Sequence, residues 1–316
     1  MSATAYCRIA RFEDPDDHAR QLPGVDQQYR QIGPGRFAGT LGQFDCGEGV
    51  FVYREQMNVP LLQEGRILAG SRTLGIALDV DRVSTFQGQP TGDAIANLSG
   101  GQGFESHNRG VSDYAGVAMR DDVFAEYAEY LGGERALDWT RFALVPVGGM
   151  ALRRTARQLR ECLEAAGSNP DALRHANARK MLREEVMGQV LCMLVDAEAP
   201  RRTDITRLTY ADVVNRSREH VMANREEAVS VLDLCRLLRI SRRTLQTSFL
   251  AVSGVAPTTY LRAVRLAAVR RLLRETPAAE LGIADAAAHW GFLHASKFTA
   301  DFRRMFGHAP SQVVRP

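Results

Sequence analysis

The most constraining feature of this 316-residue chain is a unit that occurs twice near its C-terminus. Laying Ile240–Pro257 over Leu293–Pro310, an offset of 53, puts Leu245 on Phe298, Phe249 on Phe302, Gly254 on Gly307 and Pro257 on Pro310. The segments before them align at an offset of 52, with Val231 on Ile283, Cys235 on Ala287 and Leu238 on Trp290. The one-residue difference falls between the two segments, where an inserted residue belongs to a turn and costs least. Each unit then reads as a short helix with a small residue (Cys235 or Ala287) where a second helix crosses closely. A tight turn follows, and the second helix carries two apolar residues four apart on its inner face. Its first turn is polar. This is helix-turn-helix architecture, in which the start of the second helix enters a DNA major groove.

The units are expected at 231–250 and 283–305, joined by a helix over 258–275 between Pro257 and Pro277. Tyr260, Leu261, Val264, Ala268 and Leu272 would face the core. Such a helix is about 27 Å long at ~1.5 Å per residue. Two readers held apart by this strut match successive major grooves, about 34 Å apart. The competing reading, two ordinary bundle hairpins, does not explain the repeat, the strut and the charge together.

That charge appears only when the chain is divided. The whole carries +3, but residues 201–316 hold 19 basic against 10 acidic side chains, and residues 1–200 hold 21 against 27. A basic C-terminal part on an acidic remainder suggests a polyanion-binding module attached to something else. Two domains are therefore expected, residues 1–200 and residues 201–316, with a hinge at Pro200–Arg202.

The N-terminal part reads as β-rich. "RFAGTLGQFDCGEGVFVYREQMNV", "RILAGSRTLGIALDV" and "GVSDYAGVAM" are short β-type runs broken by glycines, pointing to a sandwich or a barrel-like domain. Helical spacing follows, with Leu152, Leu159 and Leu163 on one face, then Leu173, Met181, Val186, Val190 and Leu194. The fold class is thus α+β, with an all-α C-terminal domain. The five cysteines are scattered, and read as small apolar residues in a reducing compartment. No apolar run approaches the roughly 20 residues of a membrane span, and no secretory signal opens the chain; a cytoplasmic protein is expected.

"SRRTLQTSFLAVSGVAPTTYLRAVRLAAVRRLL" and "IADAAAHWGFLHASKFTADFRRMFGHAPSQ" resemble the DNA-binding domain of the AraC/XylS family of bacterial transcription regulators. The resemblance covers about Ser230–Val313, and Val313 stands where the family often has an aromatic. "QIGPGRFAGTLGQF" is similar, more weakly, to ethanolamine-operon-type regulators. The resemblance implies a sequence-specific regulator of transcription on double-stranded DNA. Its companion domain would sense a small-molecule effector or form a homodimer, with RNA polymerase as a further partner. The alternative is a ligand-independent or architectural regulator whose N-terminal domain only dimerises.

On the first recognition helix, Arg243, Gln246 and Thr247 project opposite Leu245 and Phe249, and are candidates for base contacts. Arg243 suits a bidentate pair to guanine and Gln246 a pair to adenine. Ser241 is a candidate N-cap and phosphate contact, and Arg242 a phosphate contact. On the second, His294, Ala295, Ser296, Lys297 and Thr299 are the base-contact candidates, beside Ala300. Its alanines offer only apolar contact, so the first unit should discriminate bases and the second add mainly affinity. Arg262, Arg303 and Arg304 are backbone-phosphate candidates, and Asp301 would oppose phosphate if it pointed outward. Arg265 is a weaker candidate, with an acidic core partner as its alternative role.

No catalytic residue, cofactor or metal is expected. The β region holds only His107 after His18, too few for a histidine-rich metal barrel. "GSRTLG" and "LSGGQGF" lack the P-loop lysine, and Ser99 fits no nucleophile signature. Arg36, Arg54, Glu55 and Trp139 are candidates for an effector pocket, though surface salt links and core packing would explain them equally.

Overall fold

The computed structural model describes residues 6–22, 24–81, 84–132, 142–195, 205–224 and 229–316. The expected hinge at 200–202 and Trp139 lie outside the described residues.

Two antiparallel sheets form the N-terminal part. The strands are β1 (Cys7–Phe12), β2 (Val25–Gln31), β3 (Gly39–Asp45), β4 (Val50–Met57), β5 (Leu61–Ile67), β6 (Ser71–Ala77), β7 (Ser84–Phe86), β8 (Gln89–Pro90), β9 (Ala94–Ser99), β10 (Gly103–Asn108), β11 (Ser112–Arg120) and β12 (Leu144–Pro146). The larger sheet runs β1-β3-β4-β11-β6-β9-β12, the smaller β2-β5-β10-β7-β8. The sheets remain separate and face one another, so among the described residues the sandwich alternative holds and no barrel closes.

Period-two alternation decides what each strand does. On β4, Val50 and Val52 face outward into an apolar layer with Leu74, Ile76, Ile95 and Val117. Helices α2 (Asp121–Gly132), α3 (Gly149–Ser168) and α4 (Ala176–Val195) cover that layer. Leu152, Leu159, Leu163, Val186, Val190 and Leu194 are buried there as their spacing predicts. Met181 is the exception at 68% exposed, because α4 carries apolar residues all round and only one stripe can face the sheet. Further along β4, Tyr53, Glu55 and Met57 turn toward the smaller sheet.

The C-terminal helices are α5 (Ile205–Ala223), α6 (Val231–Leu238), α7 (Arg242–Ser253), α8 (Pro257–Glu275), α9 (Ile283–His289) and α10 (Ala295–Phe306), with α1 (Pro15–Ala19) earlier in the chain. They build two cores. Leu234, Leu245, Phe249, Val252, Tyr260 and Val264 form the first, together with Leu62 of the smaller sheet and Ile32 just after β2. Leu273, Ala287, Trp290, Phe298, Phe302 and Phe306 form the second. Helix α8 supplies residues to both, as a strut must. Tyr260, Leu261 and Val264 are buried, whereas Ala268 and Leu272 are half-buried beside the N-terminal part.

Candidate nucleic-acid interface

The two helix-turn-helix units start differently and end alike. In the first, Ser230 and Asp233 close a capping box: Ser230 Oγ accepts from the Asp233 N–H at 3.2 Å, and the Asp233 carboxylate accepts from the Ser230 N–H at 2.9 Å. Helix α7 begins at Ser241, whose Oγ accepts from the Thr244 N–H at 3.0 Å. Gly282 and His294 open α9 and α10 without side-chain caps. Both recognition helices stop at glycines with left-handed backbone, Gly254 at φ 77° and Gly307 at φ 75°. Their N–H groups donate to Leu250 and Arg303, the same carbonyl one repeat apart.

The inserted residue lies in the turn. Arg239 takes a left-handed backbone at φ 54° in the first unit, and Gly291 takes it at φ 78° in the second. Glycine adopts this conformation without penalty and arginine does not.

Leu245, Phe249, Phe298 and Phe302 are buried to 2% exposure or less. That orientation exposes Arg242, Arg243, Gln246 and Thr247 on α7, and His294, Ala295, Ser296, Lys297 and Ala300 at the start of α10, with Thr299 half-buried. Both exposed faces therefore combine hydrogen-bonding side chains with positive charge.

Asp301 points inward, with its side chain 8% exposed, and so does not oppose phosphate. It holds Arg304 at 2.5 Å and Arg262 at 3.4 Å. Two of the five candidate phosphate contacts, Arg262 and Arg304, are thus tethered by a buried carboxylate. Arg303 makes no ion pair among the described residues and stays exposed. Arg265 has no acidic partner there; it donates to the Val229 carbonyl. Its guanidinium pKa is lowered by burial and by neighbouring Arg262.

What the sequence does not announce is how firmly the N-terminal part grips the readers. Thr85 Oγ1 on β7 donates to the Val252 carbonyl at 3.0 Å. The Gln31 side chain and the Gly35 N–H donate to the Met305 carbonyl at 2.6 and 3.1 Å. Val252 and Met305 are equivalent positions at the offset of 53. Arg109 donates to the Ala251 carbonyl at 2.7 Å, so the end of α7 receives a cation as well as hydrogen bonds. The two terminal glycines abut the N-terminal part: a Cβ on Gly254 would stand 3.0 Å from Arg109 Cδ, and one on Gly307 2.7 Å from Arg36 Cβ.

Beside these contacts, the acidic α1 meets the basic strut. Asp16 pairs with Arg271 at 2.6 Å, Asp17 with Arg274 at 3.0 Å, and Asp14 with both Arg270 and Arg274. Burial, then the neighbouring Arg274 and Arg271, push the Arg270 pKa down to about 10. Across the smaller sheet, Arg218 of α5 donates to Glu105 and Glu64, each at 2.7 Å. Burial works against its charge, but Tyr260, Glu105 and Glu64 outweigh burial and its pKa rises. His107 packs on Tyr260 with ring centroids 6.0 Å apart, and burial, aided by Arg218 and Arg109, pushes its pKa down to about 3.

Of the three expected pocket residues that are described, only Glu55 faces the inside of the sandwich. Arg54, next in sequence, lies on the helix-covered face with Asp113 at 2.7 Å and Glu164 at 2.9 Å. Arg36 sits outside, paired with Glu13. The signal that separates Arg54 from Glu55 is the strand period itself. Thr85, Arg109 and Gln31 carry no such local signal, since their partners lie far away in the chain.

A family profile described as a helix-turn-helix domain matches residues 234–315. The protein named "Probable thc operon regulatory protein" of Rhodococcus erythropolis is 32% identical over 104 residues, 33% of this chain and 31% of that protein. The XylDLEGF operon transcriptional activator 3 of Pseudomonas putida is 25% identical over 166 residues, 52% of this chain and 49% of that protein. The chain thus spans between a third and half of these curated relatives. Among solved structures, the AraC-like transcriptional activator CuxR aligns over 82% of this chain and 93% of its own, at 14% identity and a TM-score of 0.41.

Proposed function

We propose that this chain, a member of the AraC/XylS family of transcription regulators by its C-terminal helix-turn-helix units, reads two successive major grooves of operator DNA under control of a small-molecule effector. The observation that carries the reading is the pair of exposed recognition faces on two structurally equivalent helices, joined by a 19-residue strut. At ~1.5 Å per residue that strut spans about 28 Å. Arg243, Gln246 and Thr247 are assigned to bases; His294, Ala295, Ser296, Lys297 and Thr299 face bases in the second groove. Ser241, Arg242, Arg262, Arg303 and Arg304 are assigned to phosphates, the tethered Arg262 and Arg304 in a fixed geometry.

Residues 1–200 serve as the sensing and dimerising part and residues 201–316 as the reader, in the cytoplasm. The support for control is that the smaller sheet is a partition one strand thick. On β7 and β10, Phe86, Phe104 and Ser106 face the interior of the sandwich, while Thr85, Glu105 and His107 face the reader. A ligand that reshapes the inner face moves residues bonded directly to the outer contacts.

Selection of binding sites from random duplex DNA by the full chain, at a stated salt concentration, tests the reading. The expected motif has two short boxes about one helical turn apart. A single box, or no enrichment at any ligand concentration, would sink the two-groove reading.

A further inference from the structure

We propose that the cavity between the two sheets binds a small cation, a primary ammonium on a short apolar body, with Glu55 as its counter-charge. This rests on the sensing role given to the N-terminal part, and names the chemistry of what is sensed.

The cavity measures about 110 Å³. An apolar cavity of about 150 Å³ holds benzene, so the occupant here has about four or five heavy atoms. Phe86, Phe104, Leu98 and Ile67 give it apolar walls, and Gly75 and Ala96 leave the space open from the larger sheet. Gly116 acts differently. A Cβ there would stand 2.0 Å from the Tyr53 ring, so glycine lets that ring lie flat on the wall.

Charge decides the class of ligand. Among the described residues no lysine, arginine or histidine lines the cavity. Glu55 does, 1% exposed, at the centre of a hydrogen-bonded chain. Tyr29 donates to its Oε1 at 2.8 Å and Tyr114 donates to its Oε2. Gln27 and Gln63 donate in turn to Tyr29 and Tyr114. Burial, then Glu55 itself, drives both tyrosine pKa values well above their ordinary range. The two hydroxyls therefore solvate the carboxylate as neutral donors and do not cancel its charge. No lysine or arginine among the described residues pairs with Glu55; His18 Nε2 approaches Oε1 at 3.0 Å from behind the lining. At the cavity's edge Asp113 is neutralised by Arg54. Aromatic faces at Tyr53, Tyr114, Phe86 and Phe104 also favour a cation. A carboxylate placed here would meet like charge at low dielectric with no donor cation to receive it.

Three isosteric probes test this: isobutylammonium, isobutanol and isobutyrate. Thermal unfolding of the full chain at pH 8, where a primary ammonium is still charged, is followed at about 10 mM of each, a binder raising Tm by mass action. Ligand-observed NMR then gives Kd. Isobutylammonium is expected to bind about tenfold more tightly than isobutanol, and isobutyrate not at all. Glu55→Gln keeps the shape and should abolish the preference for ammonium over alcohol. Ala96→Leu leaves Glu55 untouched and fills the space, so it should remove both; it decides the matter alone if Glu55→Gln fails to fold. Isobutyrate binding as well as the ammonium, or ammonium binding that survives Ala96→Leu, would overturn the proposal. Ammonium binding with no change in DNA affinity would keep the site and sink the sensing role. DNA affinity that responds to a different small molecule, with no ammonium binding, would do the reverse.

Discussion

The two helix-turn-helix units share a frame and differ in what secures it. The first has a capping box, an N-cap serine and a core that borrows Ile32 and Leu62 from the sensing part. The second has no side-chain caps on its helices, and holds itself with Trp290, Phe298, Phe302 and Phe306 and with the buried Asp301. Local hydrogen bonds define the first unit's helix starts, while aromatic packing and a tethered arginine pair define the second. The unit with chemically varied exposed residues is also the one whose core continues into the sensing part. Under the proposed function, discrimination and control would meet in the first unit, with the second as an anchor.

The largest test of this contrast is in the two cores. Phe249→Ala and Phe302→Ala should each cost about 3–5 kcal/mol by chemical denaturation. Only Phe249→Ala should also speed proteolysis between the sensing part and the reader, because only its cluster crosses that boundary. Equal cleavage in both variants would break the comparison.

The terminal glycines come next. Alanine at either should cost about 1–2 kcal/mol from left-handed backbone strain. Gly307→Ala should cost more than Gly254→Ala, since its Cβ meets the Cβ of Arg36 at 2.7 Å and backbone at 3.2 Å, whereas Gly254 faces the flexible Arg109 side chain. Matching melting temperatures for the two variants would show that the sensing part yields equally at both ends.

On DNA, Arg243→Ala should weaken binding by about 1–3 kcal/mol and relax preference at one base pair. Arg303→Ala, in the second unit, is expected to lower affinity evenly over matched and mismatched sites and to make the salt slope shallower by about one. Identical specificity profiles for the two variants would contradict the division of labour. The smallest effect belongs to the turn: Arg239→Gly should stabilise the reader by about 1 kcal/mol, by removing left-handed strain that the second unit avoids with Gly291. No gain in Tm would mean that the guanidinium has contacts that offset the strain.

Much of the reader was legible because a repeat supplies its own control. Leu245 and Phe298 identify each other as core, and Gly254 and Gly307 identify each other as helix ends. The extra residue of the second unit, Phe292, was likewise visible as a change of offset between positions 239 and 240. In the sandwich, the β-type run broken at Gly47 and Gly49 was legible, and the structure pairs its two halves as β3 and β4. The cavity did not follow, because Arg54 and Glu55 look alike as a charged pair until the strand sends them to opposite faces. Met181 shows the same weakness on a helix, where apolar residues all round leave the buried stripe undetermined. The inward turn of Asp301 and the grip of Thr85, Arg109 and Gln31 depend on partners brought together by tertiary packing, which no local pattern encodes.

The bonds to the Val252 and Met305 carbonyls have a consequence for operator choice. The N-terminal part touches the same atom in both repeats, as the jaws of a caliper touch two faces of a workpiece. The gap between the jaws is then a property of the sensing part, transmitted to the separation of the readers. Operators with identical boxes but one base pair more or less between them differ by about 3.4 Å in that separation. The proposed function then predicts selection of promoters by interval as well as by letter, with a ligand that shifts β7 against the 31–35 segment changing which interval is accepted.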